Sequence, residues 1–142
     1  MASILKVDDL RGNTAAGNIT ITSEGGAATM QLQQGVAKAW TYSDASSATP
    51  VIDDSFNNSS ITDSSTGIYG INLTNSMSNT LYTANCTANC NTGDTYSAPL
   101  TCVAKINLSI TTTTSAFDRL NWYASANRDS KHDYTIVHGD LA

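Results

Sequence analysis

Charge is what this chain has least of. Only 13% of its 142 residues are Asp, Glu, Lys or Arg, and Glu occurs once. Solvated helices draw on Glu and Lys, so their scarcity argues against a helical bundle. Seven basic residues against twelve acidic ones leave a formal net charge of −5. Without a basic patch to meet phosphates, no nucleic-acid partner is expected. No apolar run approaches the roughly 18–20 residues that a membrane-crossing helix needs, so no membrane span is expected. The opening stretch MASILKVDDLRG has no long apolar segment after its charge. A secretory signal is therefore not expected, and the chain is read as made in a cytosol.

Cysteine is also scarce, and its number is odd. Three thiols cannot close a complete internal disulfide framework. Cys86 and Cys90, in CTANC, are followed by Cys102, with His132 and His138 further on. The paired Cys-x2-Cys knuckle of structural zinc is missing, so scattered thiols, or one optional Cys86–Cys90 bridge, are preferred over a metal. No cofactor is expected. Asn-x-Ser/Thr triplets such as those beginning at Asn18, Asn58, Asn72, Asn85 and Asn107 are what chance supplies in a chain so rich in these residues.

Catalytic signatures are lacking too. There is no Gly-x-Ser-x-Gly elbow, P-loop or dinucleotide fingerprint. His132 stands beside Asp133, but neighbours on a strand point to opposite faces and cannot act as a pair. Asp53-Asp54 reads as a loop that caps a turn. An enzyme is not expected.

What the chain does have is Ser, Thr and Asn in abundance, with Ile, Val and Tyr between them. These favour turns and strands over helix interiors. From Val36 onward short strands alternate with turn signals. Trp40 and Tyr42 share one face and Thr41 takes the other. Residues 44–50 (DASSATP) form a loop, because Pro50 has no place in a central strand. Residues 59–63 and 68–74 read as a hairpin across Ser64 to Gly67, about four residues, with Tyr69, Ile71 and Leu73 on one face. Residues 80–87 form a further strand. Residues 101–112 alternate most regularly, with Cys102, Ala104, Ile106, Leu108 and Ile110 inward. Leu120, Trp122, Ala124 and Ala126 repeat the inward pattern, and residues 134–138 end it. The expectation is all-β: an antiparallel, jelly-roll-like β-sandwich over 35–142.

Residues 1–34 differ. Ile4, Leu5 and Val7 make a short apolar patch, and Asn18 to Thr22 alternates like a strand before Gly25-Gly26 interrupts it. The apolar content is too sparse for its own core, so this stretch reads as an attachment or oligomerisation arm, with Ile4, Leu5 and Val7 as its assembly contacts. In the sandwich, Trp40, Tyr69 and Trp122 are read as core or subunit anchors. Loops carry recognition over a rigid sheet. The candidate receptor residues are Tyr96 in the middle loop and Arg128, Lys131 and His132 in the last one.

Gly35 to Trp40 (GVAKAW), then SFNNSSITDSSTGIYGINLTNSM from Ser55 to Met77, then Tyr82, resemble a pattern of small phage structural proteins. Those proteins are described as tail fibres or tail-tip components of phages of aquatic bacteria. The likeness spans roughly the first 80 residues, and residues 86–118 have no counterpart in it. After Trp40 this chain carries Thr-Tyr-Ser-Asp where many members carry Val-Asn-Phe. The resemblance implies a virion component made in the host cytoplasm, β-rich and homotrimeric. It would contact other virion proteins of the tail, baseplate or capsid and a host-surface glycan or protein. The alternative is a capsid decoration or head-fibre protein docked through its arm.

Overall fold

The computed structural model describes residues 5–15, 18–23, 25–89, 99–104, 113–123 and 126–142, with backbone alone at 99–104, 123 and 126. The chain divides into two compact units, 1–36 and 37–142. Expectations for Ile4, Tyr96, Cys90 with its optional bridge, Ala124 and the inward residues beyond Ala104 fall outside the described residues, as do the side chains of Cys102, Ala104 and Ala126.

The first unit holds one small hairpin, β1 (Thr20–Thr22) against β2 (Thr29–Gln31), followed by the single turn α1 (Leu32–Gly35). Gly26 takes a left-handed φ of 72° at the hairpin turn, a conformation glycine adopts without steric cost. No described residue of this unit is buried, and Leu5, Val7, Leu10 and Met30 stand exposed.

The second unit is all-β and antiparallel. Its strands are β3 (Ala39–Asp44), β4 (Val51–Phe56), β5 (Asn58–Ser65), β6 (Ile68–Leu73), β7 (Thr83–Asn89), β8 (Pro99–Ala104), β9 (Ala116–Tyr123), β10 (Ala126–Asn127) and β11 (His132–His138). They run in the order β4-β3-β11-β7-β8-β9-β6-β5, with β10 added to β9. β8 turns the corner: Pro99 and Leu100 pair with β7, while Thr101 to Ala104 pair with β9. One half of the sheet thereby faces the other, in a sandwich-like arrangement.

The interior between the halves is split along the strands. At one end Ala39, Ile71, Leu73, Met77, Phe117 and Val137 form the apolar core, with Tyr82 meeting Phe117 edge to face at 5.9 Å. At the other end the same strands bury Ser43, Arg119, Asn121 and Asp133 around Tyr69. Five consecutive residues, Phe117 to Asn121, are buried, so β9 is covered on both faces. The inward alternation expected through Leu120 and Trp122 is therefore corrected. Phe117, Arg119 and Asn121 face the interior, Leu120 is buried on the opposite side, and Trp122 is 44% exposed.

Other boundaries also move. The quoted GVAKAW stretch is not all strand: Gly35 closes α1, and β3 begins only at Ala39. Asp53 and Asp54 are not in a loop but in β4. Tyr42 pairs with Asp54 and Ser43 with Ile52, so Asp53 is the extra residue of a β-bulge. The β5–β6 hairpin turns through Thr66-Gly67 alone, with the bulge at Ser64 absorbing the difference. Tyr69, Ile71 and Leu73 line the buried face of β6, as their spacing predicts.

Between β4 and β5 the chain reverses at Asn57, the one described non-glycine residue with positive φ, 55°. Its amide donates to Lys38 O at 3.0 Å and Asn75 O at 3.2 Å, and its Oδ1 accepts from Asn75 N at 2.6 Å. Asn tolerates this conformation because its side chain bonds locally. Asn57→Ala should cost roughly 1–3 kcal/mol, the strain being kept while the bonds are lost. Asn57→Gly should cost less, and urea denaturation of both variants checks the order.

Candidate functional site

Alternation decides which side chains of a strand share a face, and packing decides which face goes inside. In β3 the inner face is Ala39, Thr41 and Ser43, all buried, while Trp40 and Tyr42 point outward. In β11 Asp133, Thr135 and Val137 turn inward, leaving His132, Tyr134 and Ile136 outside. Of the three residues read as core or subunit anchors, Tyr69 alone is buried; Trp40 and Trp122 are exposed, which removes the core half of that reading for them and leaves the subunit half. The small inner residues of β3 suit close approach of the facing half, and there Asn58 Nδ2 reaches Thr41 Oγ1.

The register then lines up the outward residues in two cross-strand rows. Phe56, Trp40, Ile136 and Asn85 make one, from β4 through β3 and β11 to β7. Asp54, Tyr42, Tyr134 and Thr87 make the next. Tyr42 stacks near-parallel against Tyr134 at 4.9 Å between centroids, and the His132 ring lies at its hydroxyl end, near-parallel with centroids 6.0 Å apart. Its hydroxyl also lies 2.7 Å from His132 Nδ1. Partial burial first, then the Tyr134 phenol and the Asp53 carboxylate, raise the Tyr42 phenol above its usual value. Tyr134 has one ring partner among the described residues and is 51% exposed. A concave slot of about 410 Å³ lies over these rows, lined by Trp40, Tyr42, Tyr134 and Ile136, with Asp54, Asn85 and Thr87 at its polar positions. Trp40 is 38% exposed there.

Behind this face lies the buried polar cluster. Arg119 and Asp133 are fully buried, with Nη2 and Oδ2 3.0 Å apart. The approach is off the N–H direction, so the contact is coulombic rather than a directed hydrogen bond. The guanidinium also sits 4.9 Å above the Tyr69 ring. Ser130 Oγ and Asn121 Nδ2 both donate to Asp133 Oδ1, at 2.5 and 3.0 Å. Burial pushes the Asp133 carboxyl upward against the opposing pull of Arg119 and these two donors. Next to it Asp129 Oδ1 accepts from Gly67 N at 2.7 Å and from Tyr69 Oη at 2.6 Å. Burial, then the hydrogen bond to Asp129, pushes the Tyr69 phenol far up, so it stays a donor. The cluster ties β6, β9 and β11 to the loop before β11 and braces the sheet.

The last loop is accordingly divided. Arg128 and Lys131 are exposed, Asp129 is tied down, and His132 belongs to the aromatic stack. His132 and Asp133 lie on opposite faces of β11. Among the described residues no three His, Cys, Asp or Glu side chains gather as metal ligands. No described helix is long and apolar enough to cross a membrane. Sequence reasoning paired Trp40 with Tyr42 correctly but missed Tyr134 and Ile136 as their neighbours, and Asp54, Asn85 and Thr87 as the polar edge. Only the period-two alternation of each strand signalled them, and it carries no information on which strands adjoin.

The chain matches no protein-family model, no curated protein and no solved structure.

Proposed function

We propose that this chain is a structural component of a phage virion, a tail-fibre or tail-tip protein that contacts the host surface without catalysing a reaction. The observation that carries the reading is the exposed aromatic slot on a charge-poor sheet, held rigid from behind by the buried Arg119–Asp133 cluster. A soluble chain that leaves Trp40, Tyr134, Ile136 and Phe56 side by side on one surface exposes a patch suited to contact. The motif from Gly35 to Tyr82 adds the resemblance to small tail proteins.

The first unit supports assembly. Leu5 is 77% exposed, Val7 and Leu10 are about half exposed, and no described residue of that unit buries them. Such a segment gains its packing from another chain, in this reading a homotrimer built on a jelly-roll-like domain. The same exposed arm favours a second reading, a capsid decoration or head fibre docked through residues 5–10.

Immunogold labelling of intact virions tests both. Gold at the tail or its fibres is the expected result. Gold over the head transfers the protein to the second reading, and particles without gold overturn both.

A further inference from the structure

The outer slot combines flat aromatic surfaces with a rim of hydrogen-bonding groups, two of them neutral and one a carboxylate, and its described lining holds no Lys or Arg. Tyr134 keeps one ring face unstacked among the described residues, and Trp40 is its diagonal neighbour, two register positions along. On the β4 side stands the Asp54 carboxylate, and on the β7 side the Asn85 amide and the Thr87 hydroxyl. We infer that this slot binds a neutral glycan, with one sugar ring laid against Trp40 or the open face of Tyr134 and its hydroxyls bonded to Asp54, Asn85 and Thr87.

The chemistry is specific to that class. A pyranose ring presents C–H groups on one side, which an aromatic face receives, and hydroxyls around its edge. Those hydroxyls must find partners when water leaves. Asp54 accepts two or more hydroxyls, Asn85 both donates and accepts, and Thr87 does either. An anionic ligand is disfavoured, because Asp54 is the one ionisable carboxylate in the lining and neither Lys nor Arg joins it. A purely apolar ligand would strand the same three polar groups. A second copy of this chain is disfavoured by charge. Paired face to face, two such sheets would bring Asp54 and its bulged neighbour Asp53 near like charges with no basic side chain on the slot to answer them. The volume of about 410 Å³ lies in the range of small-molecule sites and admits a short stretch of a sugar chain.

This inference deepens the attachment reading and rests on it, yet the two fail separately. Glycan binding is measured on the isolated full-length chain, whereas gold labelling reports position on the particle.

The probes are neutral hexasaccharides of glucose, mannose and N-acetylglucosamine in their common linkages, with polygalacturonate as the anionic comparison. Binding is followed by calorimetry and by Trp40 fluorescence in Trp122→Phe, which leaves Trp40 as the chain's one tryptophan. The expected result is saturable binding of at least one neutral hexasaccharide, unchanged in Trp122→Phe. Trp40→Ala and Tyr134→Ala should each weaken it by about tenfold or more, as the loss of an aromatic contact surface implies. Both residues are exposed, so thermal unfolding near that of the parent shows that the variants still fold. Trp40→Phe should restore part of the affinity. Three results overturn the inference: no saturable response to any neutral hexasaccharide, preference for polygalacturonate, or equal affinity in Trp40→Ala. Concentration-dependent dimerisation abolished by Trp40→Ala would also overturn it, by assigning the face to a second copy.

Discussion

Asp133→Ala is expected to remove about 3–5 kcal/mol of folding free energy, because Arg119 is left charged, buried and without its one described ionic partner. The variant also strips the acceptor from Ser130 and Asn121. Arg119→Met should cost a comparable amount by leaving the carboxylate alone. The double variant Arg119→Met with Asp133→Leu should lose far less than the sum, since neither charge then needs compensation. Urea denaturation of the four proteins gives the coupling directly, and simple additivity would show that the pair does not act as a unit. The effect also has a pH signature. Burial holds the folded Asp133 carboxyl above the ordinary carboxylate range, so over that window the folded chain binds more protons than the unfolded one. The contribution of Asp133 to stability is thus fully present in acid and declines as pH rises through the folded value. The gap between the parent and Asp133→Ala should be wider in mild acid than at neutral pH.

Gly67→Ala should be the second large loss, roughly 2–4 kcal/mol from combined backbone strain and steric displacement. Gly67 has φ of 69° in the two-residue turn between β5 and β6. A Cβ there would sit 2.6 Å from Arg128 N and 2.8 Å from both Arg128 O and Asn121 O. These are backbone atoms, which cannot swing aside as a side chain would. Gly67 also donates to Asp129 and accepts from Asn121 N at 2.8 Å. Displacing it therefore loosens the ties that hold Tyr69 under Arg119. A thermal midpoint unchanged by the substitution would mean that the turn has room to give.

These two sites show how unevenly the sequence discloses the molecule. A turn at Gly67 was legible, because glycine between two alternating runs marks a reversal. That its missing side chain makes room for the backbone of Arg128 was not, since 61 residues separate them along the chain. Arg119 and Asp133 were illegible in a different way. Charged residues are expected outside, and β9 and β11 are not adjacent in the sheet. Their side chains meet only because β8 carries the sheet around a corner and sets the two strands on facing halves.

The slot follows the same logic. Trp40 and Tyr42 on one face and Thr41 on the other were fixed by the strand period, as were Tyr69, Ile71 and Leu73 on theirs. For β6 the larger residues go inward, and hydrophobicity alone points the right way. For β3 the small residues go inward and the tryptophan stays out. The all-β class, the antiparallel habit and the membership of each face are local matters, governed by backbone preference and by a period of two. Which face is buried, which strands adjoin, and whether an arginine lies in the interior depend on what stands opposite. The half facing β3 admits only small side chains over it, the half facing β9 supplies a carboxylate to Arg119, and no stretch of sequence read by itself contains either fact.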